Sequence, residues 1–294
     1  MSNLSTEEEI DRAFSSKGLL SDVVVGYKSR VEQSEMAQAI GAAIKKKEPI
    51  ICEAGTGTGK TFAYLIPAFY YGRKIIIATG TKTLQDQLYD QDIQVVRDAL
   101  KIPITVAKLK GRANYLCHQQ IERTKSERSF SSLREVELFN MYERMLESSD
   151  SGDISEVNMP EENQRVQSSV VSTRDSCLGS DCPHINKCFV LKARKRALAA
   201  EVVVVNHHLF FADLALKQDG FGELLPECDV VIFDEAHQIG DVATQFFGSS
   251  ISTNQLNELL RDLRYGSVIM GDSTEAVDEL IDSFEKGIRN LRLS

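Results

Sequence analysis

The stretch CEAGTGTGKT, Cys52 to Thr61, constrains this chain more than any other. Gly55, Gly57 and Gly59 alternate with threonines and run directly into Lys60 and Thr61. Before them lies an apolar run, IICEA, which reads as a short buried strand; after them KTFAYLIPAFYYG reads as a helix. A glycine-rich turn from strand into helix points backbone N–H groups into a concavity at the positive end of the helix, and that concavity holds phosphate. The strict form of the loop has glycine five residues before Gly59, where this chain has Ala54. The three remaining glycines still take positive φ without strain. The expected nucleotide contacts are therefore Ala54, Gly55, Thr56, Gly57, Thr58 and Gly59, with Lys60 on the β and γ phosphates and the Thr61 hydroxyl on Mg²⁺.

A loop of this kind needs an acidic partner at the end of another strand. VVIFDEAH, Val230 to His237, supplies one about 170 residues downstream. Asp234 at the strand end is expected to hold Mg²⁺ through water, and Glu235 to orient and deprotonate the attacking water. The chain has no NKxD guanine-reading sequence, which favours ATP over GTP. Gln33, about 27 residues before Lys60, is a candidate reader of adenine, with Arg30 and Tyr27 helping to hold the base.

The remaining pattern is α/β. Residues 5–20 read as a capped helix, and Ser29 onward reads as an amphipathic helix ending near Lys47. KIIIAT is a second strand, KTLQDQLYDQDIQVVRDAL a second helix, and AEVVVVNHHLFF and CDVVIFDEAH are two more buried strands. Strands alternating with helices predict a parallel sheet. After residue 250 two helical patterns follow, Leu256, Leu259, Leu260, Leu263 and then Val277, Leu280, Ile281, Phe284, Ile288, Leu291.

Composition narrows the partners. A net charge of −9 excludes a globally basic nucleic-acid binder, so any such contact must come from a local patch. The N-terminus is acidic and lacks the apolar core of a signal peptide. No apolar run approaches the ~18 residues that span a bilayer. A cytoplasmic location without membrane contact is the expectation. In that reducing setting the six cysteines are ligands or buried apolar groups rather than disulfides.

The α/β pattern breaks over residues 123–175, which are polar and rich in Ser and Glu, with one helix expected near 132–147 and a loose stretch near 148–169. This segment reads as an insertion. Cys117, Cys177, Cys182 and Cys188 flank and close it with the spacing C-x59-C-x4-C-x5-C. Four thiolates suit tetrahedral zinc, with His118 and His184 as substitute ligands, or an iron–sulfur cluster. The absence of a tight C-x2-C knuckle leans toward the cluster, and spacing leaves both open. Cys52 and Cys228, beside strand ends, read as core residues. After Cys188, Lys192, Arg194, Lys195 and Arg196 form the strongest positive cluster in the chain, and Lys108, Lys110 and Arg112 precede Cys117. Together they predict a phosphate-tracking patch. Thr79, Thr81 and Lys82, at a strand end that opens a helix, are further candidates for a nucleic-acid backbone; simple helix capping is the rival reading.

In this order, AGTGTGKT, TGTKTLQDQL, the four-cysteine insertion, VVVVNHHLF and FDEAH resemble the XPD-like superfamily 2 DNA helicases with an iron–sulfur domain, and among them the bacterial DinG/YoaA branch, its YoaA side in particular. The resemblance covers roughly residues 25–250. It implies a RecA-like P-loop helicase lobe, a [4Fe–4S] cluster on Cys117, Cys177, Cys182 and Cys188, and ATP-driven 5′→3′ movement on single-stranded or forked DNA in repair or replication, with a replication or repair protein as a further partner. The expected domains are an N-terminal extension (1–24), a first part of the lobe (25–110), an iron–sulfur insertion (111–195), a second part of the lobe (196–250) and the start of a helical arch (251–294). The family has a second RecA-like lobe, and only 57 residues follow His237. A truncated product or expressed fragment that does not unwind duplex is therefore expected. The rival expectation is a single-stranded-DNA-binding metal module with a vestigial ATP site; a zinc-containing ATPase switch stands behind both.

Overall fold

The computed structural model describes residues 5–55, 57–72, 74–127, 130–156, 164–174, 176–218, 220, 224–248, 256, 259, 260, 263 and 275–291. The chain divides into two compact units, Met1–Ala243 and Thr244–Ser294. Within the first, helices α1 (Thr6–Phe14), α2 (Leu19–Val23), α3 (Val31–Lys46) and α4 (Lys60–Tyr71) precede strand β1 (Ile75–Thr79). Helix α5 (Lys82–Gln87) then passes through a π-helical turn, Leu88–Asp92, into α6 (Ile93–Leu100), and β2 (Val106–Lys108) follows. The cysteine-bearing region contributes α7 (His118–Glu127), α8 (Leu133–Ser148), α9 (Gln164–Val170) and α10 (Phe189–Ala199). Strand β3 (Val202–Asn206), α11 (His207–Gln218), β4 (Val230–Phe233) and α12 (Ile239–Phe247) complete the α/β pattern.

The helix ends follow local chemistry. Ser5 and Glu8 form a reciprocal capping box at the start of α1, and α3 ends with Lys47 in the left-handed region. The single helix expected over 5–20 is two, because the chain turns at Ser15–Gly18.

The four strands form one parallel sheet in the order β2-β3-β1-β4. A parallel sheet must be covered on both faces. Side chains alternate accordingly. Ile75, Ile77, Val202 and Val204 face a core built with α1, α3, α4 and α6. Ile76, Ala78, Val203 and Val205 face a second core, where Tyr115, Leu116, Phe139, Tyr142, Val170 and Phe189 close over them. Those residues belong to the insertion. The apolar side of this segment forms the second covering layer of the sheet. All four valines of β3 are fully buried, and each contributes roughly 1.5–3 kcal/mol.

One expected strand is missing. IICEA forms no ladder among the described residues, and Ile51 is 96% exposed. An apolar run becomes a strand only when a neighbour accepts its hydrogen bonds. The outer edge of β4 is unpaired among the described residues, and Val231 there is 39% exposed. Cys52 and Cys228 do pack against the two cores, one against each.

Lys108 and Lys110 also differ from expectation. Lys110 is buried, with its Nζ 2.8 Å from both Asp86 and Asp153 and donating to Ser155 Oγ at 2.8 Å. Lys108 donates to Asp86 at 2.6 Å. Both cations are neutralised inside the fold, so neither belongs to a phosphate-tracking surface. They tie α5 to β2 and to the insertion loop that carries Asp153.

In the second unit, Leu260 and Ile281 are buried, with Leu256 and Phe284 packed on them; the last helix, α13, is Glu275–Leu291. Leu280 is exposed, and the side chains of Val277, Ile288 and Leu291 lie outside the described residues. No helix among the described residues is long and apolar enough to cross a membrane.

Burial opposes ionisation of Asp86, but hydrogen bonds from Lys108 and Lys110 outweigh it and hold its carboxyl below the usual range. A depressed carboxyl stabilises the fold above its unfolded pKa, and this stability is lost as pH falls through the folded value. Lys110→Met removes the cation held 2.8 Å from both carboxylates and leaves them with Lys108 alone, 2.6 Å from Asp86 and 4.0 Å from Asp153. It should cost about 3 kcal/mol in urea denaturation at neutral pH. The deficit should shrink as pH falls through the depressed range of the Asp86 carboxyl, where the charge that Lys110 offsets is lost.

Candidate nucleotide-binding site

The glycine loop ends at Gly59, the N-cap of α4, so that Lys60 opens the helix. Gly57 and Gly59 have φ of 75° and 82°, a region closed to most side chains. Lys60 Nζ donates to Ala54 O at 2.9 Å, folding back over its own loop, and Thr58 Oγ donates to Gly55 O at 2.8 Å. Thr56 lies outside the described residues.

The three residues expected to hold the base brace this loop. Gln33, buried, donates its amide to Gly59 O at 2.9 Å and accepts from the Tyr27 hydroxyl at 3.2 Å. Arg30 donates to Gly57 O. Both ends of the Gln33 amide are thus engaged in shaping the phosphate loop.

Asp234 follows the last residue of β4. The register sets Ala78 opposite Phe233, and the Asp234 N–H donates to Ala78 O at 2.9 Å. Glu235 turns into the left-handed region at φ 55°, and its N–H donates to Asp234 Oδ1 at 3.1 Å. Burial raises the Asp234 carboxyl pKa, the Glu235 charge adds to this, and the Lys60 charge opposes it. Lys60, at the start of α4, and Asp234, just after β4, both lie at the C-terminal end of the sheet, the end where open α/β sheets bind ligands.

Two residues at this cleft were not anticipated. Tyr64, one turn after Lys60 on α4, reaches Asp234 Oδ2 at 3.5 Å, and its hydroxyl also pairs with Thr61. Asp92, in the π-turn, is close enough that burial and then the Asp234 charge raise its carboxyl pKa. Tyr64 is legible in hindsight from its i+4 spacing to Lys60. Asp92 is not, because a regular helical period places it elsewhere.

The cysteines gather at a separate corner. Cys117 immediately precedes α7 and Cys188 caps α10, two helix N-termini of the kind that favour thiolate. Burial pushes the Cys117 thiol up, while the Gln120 and Gln119 amides and Ser172 hydrogen-bond to it; Cys182 is near enough to act on it electrostatically. Arg194 is half-buried and feels Cys188 and Cys177. The His118 ring stacks on His184 at 5.7 Å and on Phe189 at 5.4 Å. The donor set has the chemistry of an iron–sulfur or zinc site. Even so, no three Cys, His, Asp or Glu among the described residues are drawn to metal-holding distance.

The nucleic-acid candidates divide. Thr79 is fully buried and its hydroxyl donates to Thr81 O and Val205 O, so it is removed from any surface contact. Thr81 caps α5 by accepting from Leu84 N at 3.2 Å, yet it and Lys82 remain exposed. Lys192, Lys195 and Arg196 are exposed on α10, whereas Arg194 turns toward the cysteines.

A Cβ at Gly59 would lie 2.1 Å from Gln33 Nε2, whereas one at Gly26, also at positive φ, would meet nothing within 4 Å. Gly59→Ala should therefore weaken binding of a fluorescent Mg²⁺–ATP analogue by at least about tenfold, or ~1.4 kcal/mol. Gly26→Ala, which shares the φ strain without the clash, should leave it within about twofold.

Residues 33–149 match the DEAD/DEAH box helicase family. The chain is 46% identical over 257 residues to the ATP-dependent DNA helicase YoaA of Haemophilus influenzae, covering 87% of this chain and 40% of that protein. It is 45% identical over 283 residues to the ATP-dependent DNA helicase YoaA of Escherichia coli, covering 95% of this chain and 44% of that protein. The 3′-5′ exonuclease DinG of Bacillus subtilis is 29% identical over 265 residues, covering 88% of this chain and 27% of that protein. The chain thus spans less than half the length of these relatives. This similarity, which runs along nearly the whole sequence and includes the glycine loop at Lys60 within the matched residues, places the chain in the DEAD/DEAH-box helicase family, on the branch that holds YoaA and DinG.

Proposed function

We propose that this chain forms the ATP-binding first lobe of a cytoplasmic, bacterial, ATP-dependent 5′→3′ DNA helicase that acts on single-stranded or forked DNA in repair or replication. The observation that carries the reading is the glycine loop running into α4 at Lys60, with Tyr64 of that helix 3.5 Å from Asp234 Oδ2. Lys60 leaves Ala54 O to pair with the β and γ phosphates, and the loop amides hold the remaining phosphate oxygens. Thr61 and Asp234 would hold Mg²⁺, which would supply neutralisation of the charge on the transferred phosphoryl group. Glu235 takes a proton from the attacking water. Gln33 and Arg30 keep the loop open for phosphate by holding the carbonyls of Gly59 and Gly57. Because the chain spans less than half of its relatives' length, unwinding is assigned to the whole protein. For the 294 residues alone, nucleotide and DNA binding are the expected activities.

The corner of Cys117, Cys177, Cys182 and Cys188 fits a [4Fe–4S] cluster by its thiol chemistry, with zinc as the alternative. When bound, either would staple the insertion into one rigid piece. Exposed Lys192, Lys195 and Arg196, with Thr81 and Lys82, would then track the DNA backbone. The division into lobe (25–110 and 196–250), iron–sulfur insertion (111–195) and arch (251–294) belongs to this reading. The exposed basic row on α10 favours, as a second reading, a single-stranded-DNA-binding metal module whose ATP site is vestigial.

Lys60→Ala in the whole protein should reduce DNA-stimulated ATP hydrolysis by at least about a hundredfold. Full turnover in that variant overturns the helicase reading. Protein purified without oxygen should carry roughly four iron and four sulfide per chain. Colourless protein with one zinc overturns the cluster.

A further inference from the structure

His207 is the first residue of α11 and fully buried, and no role in nucleotide chemistry accounts for it. Its Nε2 lies 2.8 Å from Asp234 O and 3.1 Å from Ala78 O. Both partners are acceptors, so Nε2 carries the hydrogen and shares it between two strand ends. Nδ1 is buried without a partner. The Phe233 ring meets the imidazole edge-on at 5.9 Å. The imidazole therefore fastens the backbone of the residue that holds the magnesium carboxylate to the residue just before Thr79.

A second contact joins the same two segments. Gln238, in the turn after Glu235, lies against Gly80, where an added Cβ would come 2.5 Å from its Oε1. Within Thr79–Lys82 the Thr79 hydroxyl donates to Thr81 O at 3.0 Å, so the loop moves as one piece. Displacement of Thr81 and Lys82 must be felt at Gly80 and Ala78, and from there at Gln238 and Asp234. The path is made of direct contacts at both ends.

We propose that His207 and Gln238 are positioning residues that couple the Thr79–Lys82 loop to the Asp234–Glu235 turn, so that a polynucleotide seated on the loop changes the affinity of the cleft for Mg²⁺–nucleotide. This coupling rests on the reading of the loop as a DNA contact and of the cleft as a nucleotide site. Linkage makes it reciprocal: nucleotide changes DNA affinity by the same factor.

The test uses the 294-residue chain, fluorescent Mg²⁺–ATPγS and a labelled oligo-dT strand. Each ligand is titrated alone and then at saturation of the other. In the wild type, DNA should change nucleotide affinity by about fivefold or more. Gln238→Ala and His207→Phe should bring that factor to within about twofold of unity while each single-ligand affinity stays within about threefold. His207→Gln, whose amide offers two hydrogens to the same two carbonyls, should keep the factor. If His207→Phe does not fold by circular dichroism, Gln238→Ala and His207→Gln decide. A wild type that binds both ligands with a factor of one, or a Gln238→Ala variant that retains the full factor, overturns the coupling alone. Failure of the wild type to bind one ligand by itself overturns the site reading, and the coupling with it.

Discussion

Strand β1 is paired on both sides, to β3 and to β4, in parallel register. Everything at the candidate site depends on that double pairing. It sets Ala78 opposite both Val205 and Phe233, so the ends of three strands fall at one level. The next residues along are Thr79 and Asn206, paired as the last of β1 and β3, and Asp234, just past β4. The chain between β1 and β4 is long, but each doubling of a flexible connection costs only about 0.6 kcal/mol in closure entropy. The cost falls further because the connection covers one face of the sheet. The cysteine-bearing region and the sheet share a core, and the buried Lys110 joins Asp86 on α5 to Asp153 in that region.

Strands that stop at a binding edge leave carbonyls without ladder partners. Two buried side chains donate to four carbonyls near this edge, of which Ala78 O and Val204 O also accept from the Asp234 and Leu109 N–H groups. Gln85 donates to Leu109 O at 2.9 Å and Val204 O at 2.8 Å, and His207 serves Ala78 and Asp234. Each side chain keeps an unpartnered acceptor, Gln85 Oε1 and His207 Nδ1. A second lone acceptor in the interior costs free energy.

Much of this was legible in the residues. The valine run of β3, the isoleucines of β1 and the capping chemistry of α1 and α3 each carry a local signal strong enough to read directly. The phosphate loop was readable because Gly57 and Gly59 do need positive φ. What escaped is long-range. Ile50 and Ile51 have the composition of a strand, but pairing decides whether one forms. Lys108 and Lys110 look like surface cations until Asp86, Asp90 and Asp153 are seen around them. Thr79 looks like an exposed hydroxyl until Thr81 and Val205 claim it. The amide of Gln33 resembles a base reader but is already bonded to Gly59 and Tyr27. No local pattern encodes these partners.

The π-turn at Leu88–Asp92 sets the phase of the helix that follows it. Gln85 and Leu88 are buried three residues apart, then Ile93 five further on, then Val96 and Ala99 at threes again. One extra residue is taken up where a regular helix would have turned Asp92 inward. That offset leaves Asp92 half-buried beside Asp234 instead of in the core. Removing a single residue there would place Ile93 and Val96 four and seven positions after Leu88, the spacing of a regular helix, so both would stay turned inward. What would vanish is the irregular turn that keeps Asp92 out of the core. The extra residue therefore serves the placement of this carboxyl and not the packing of the helix.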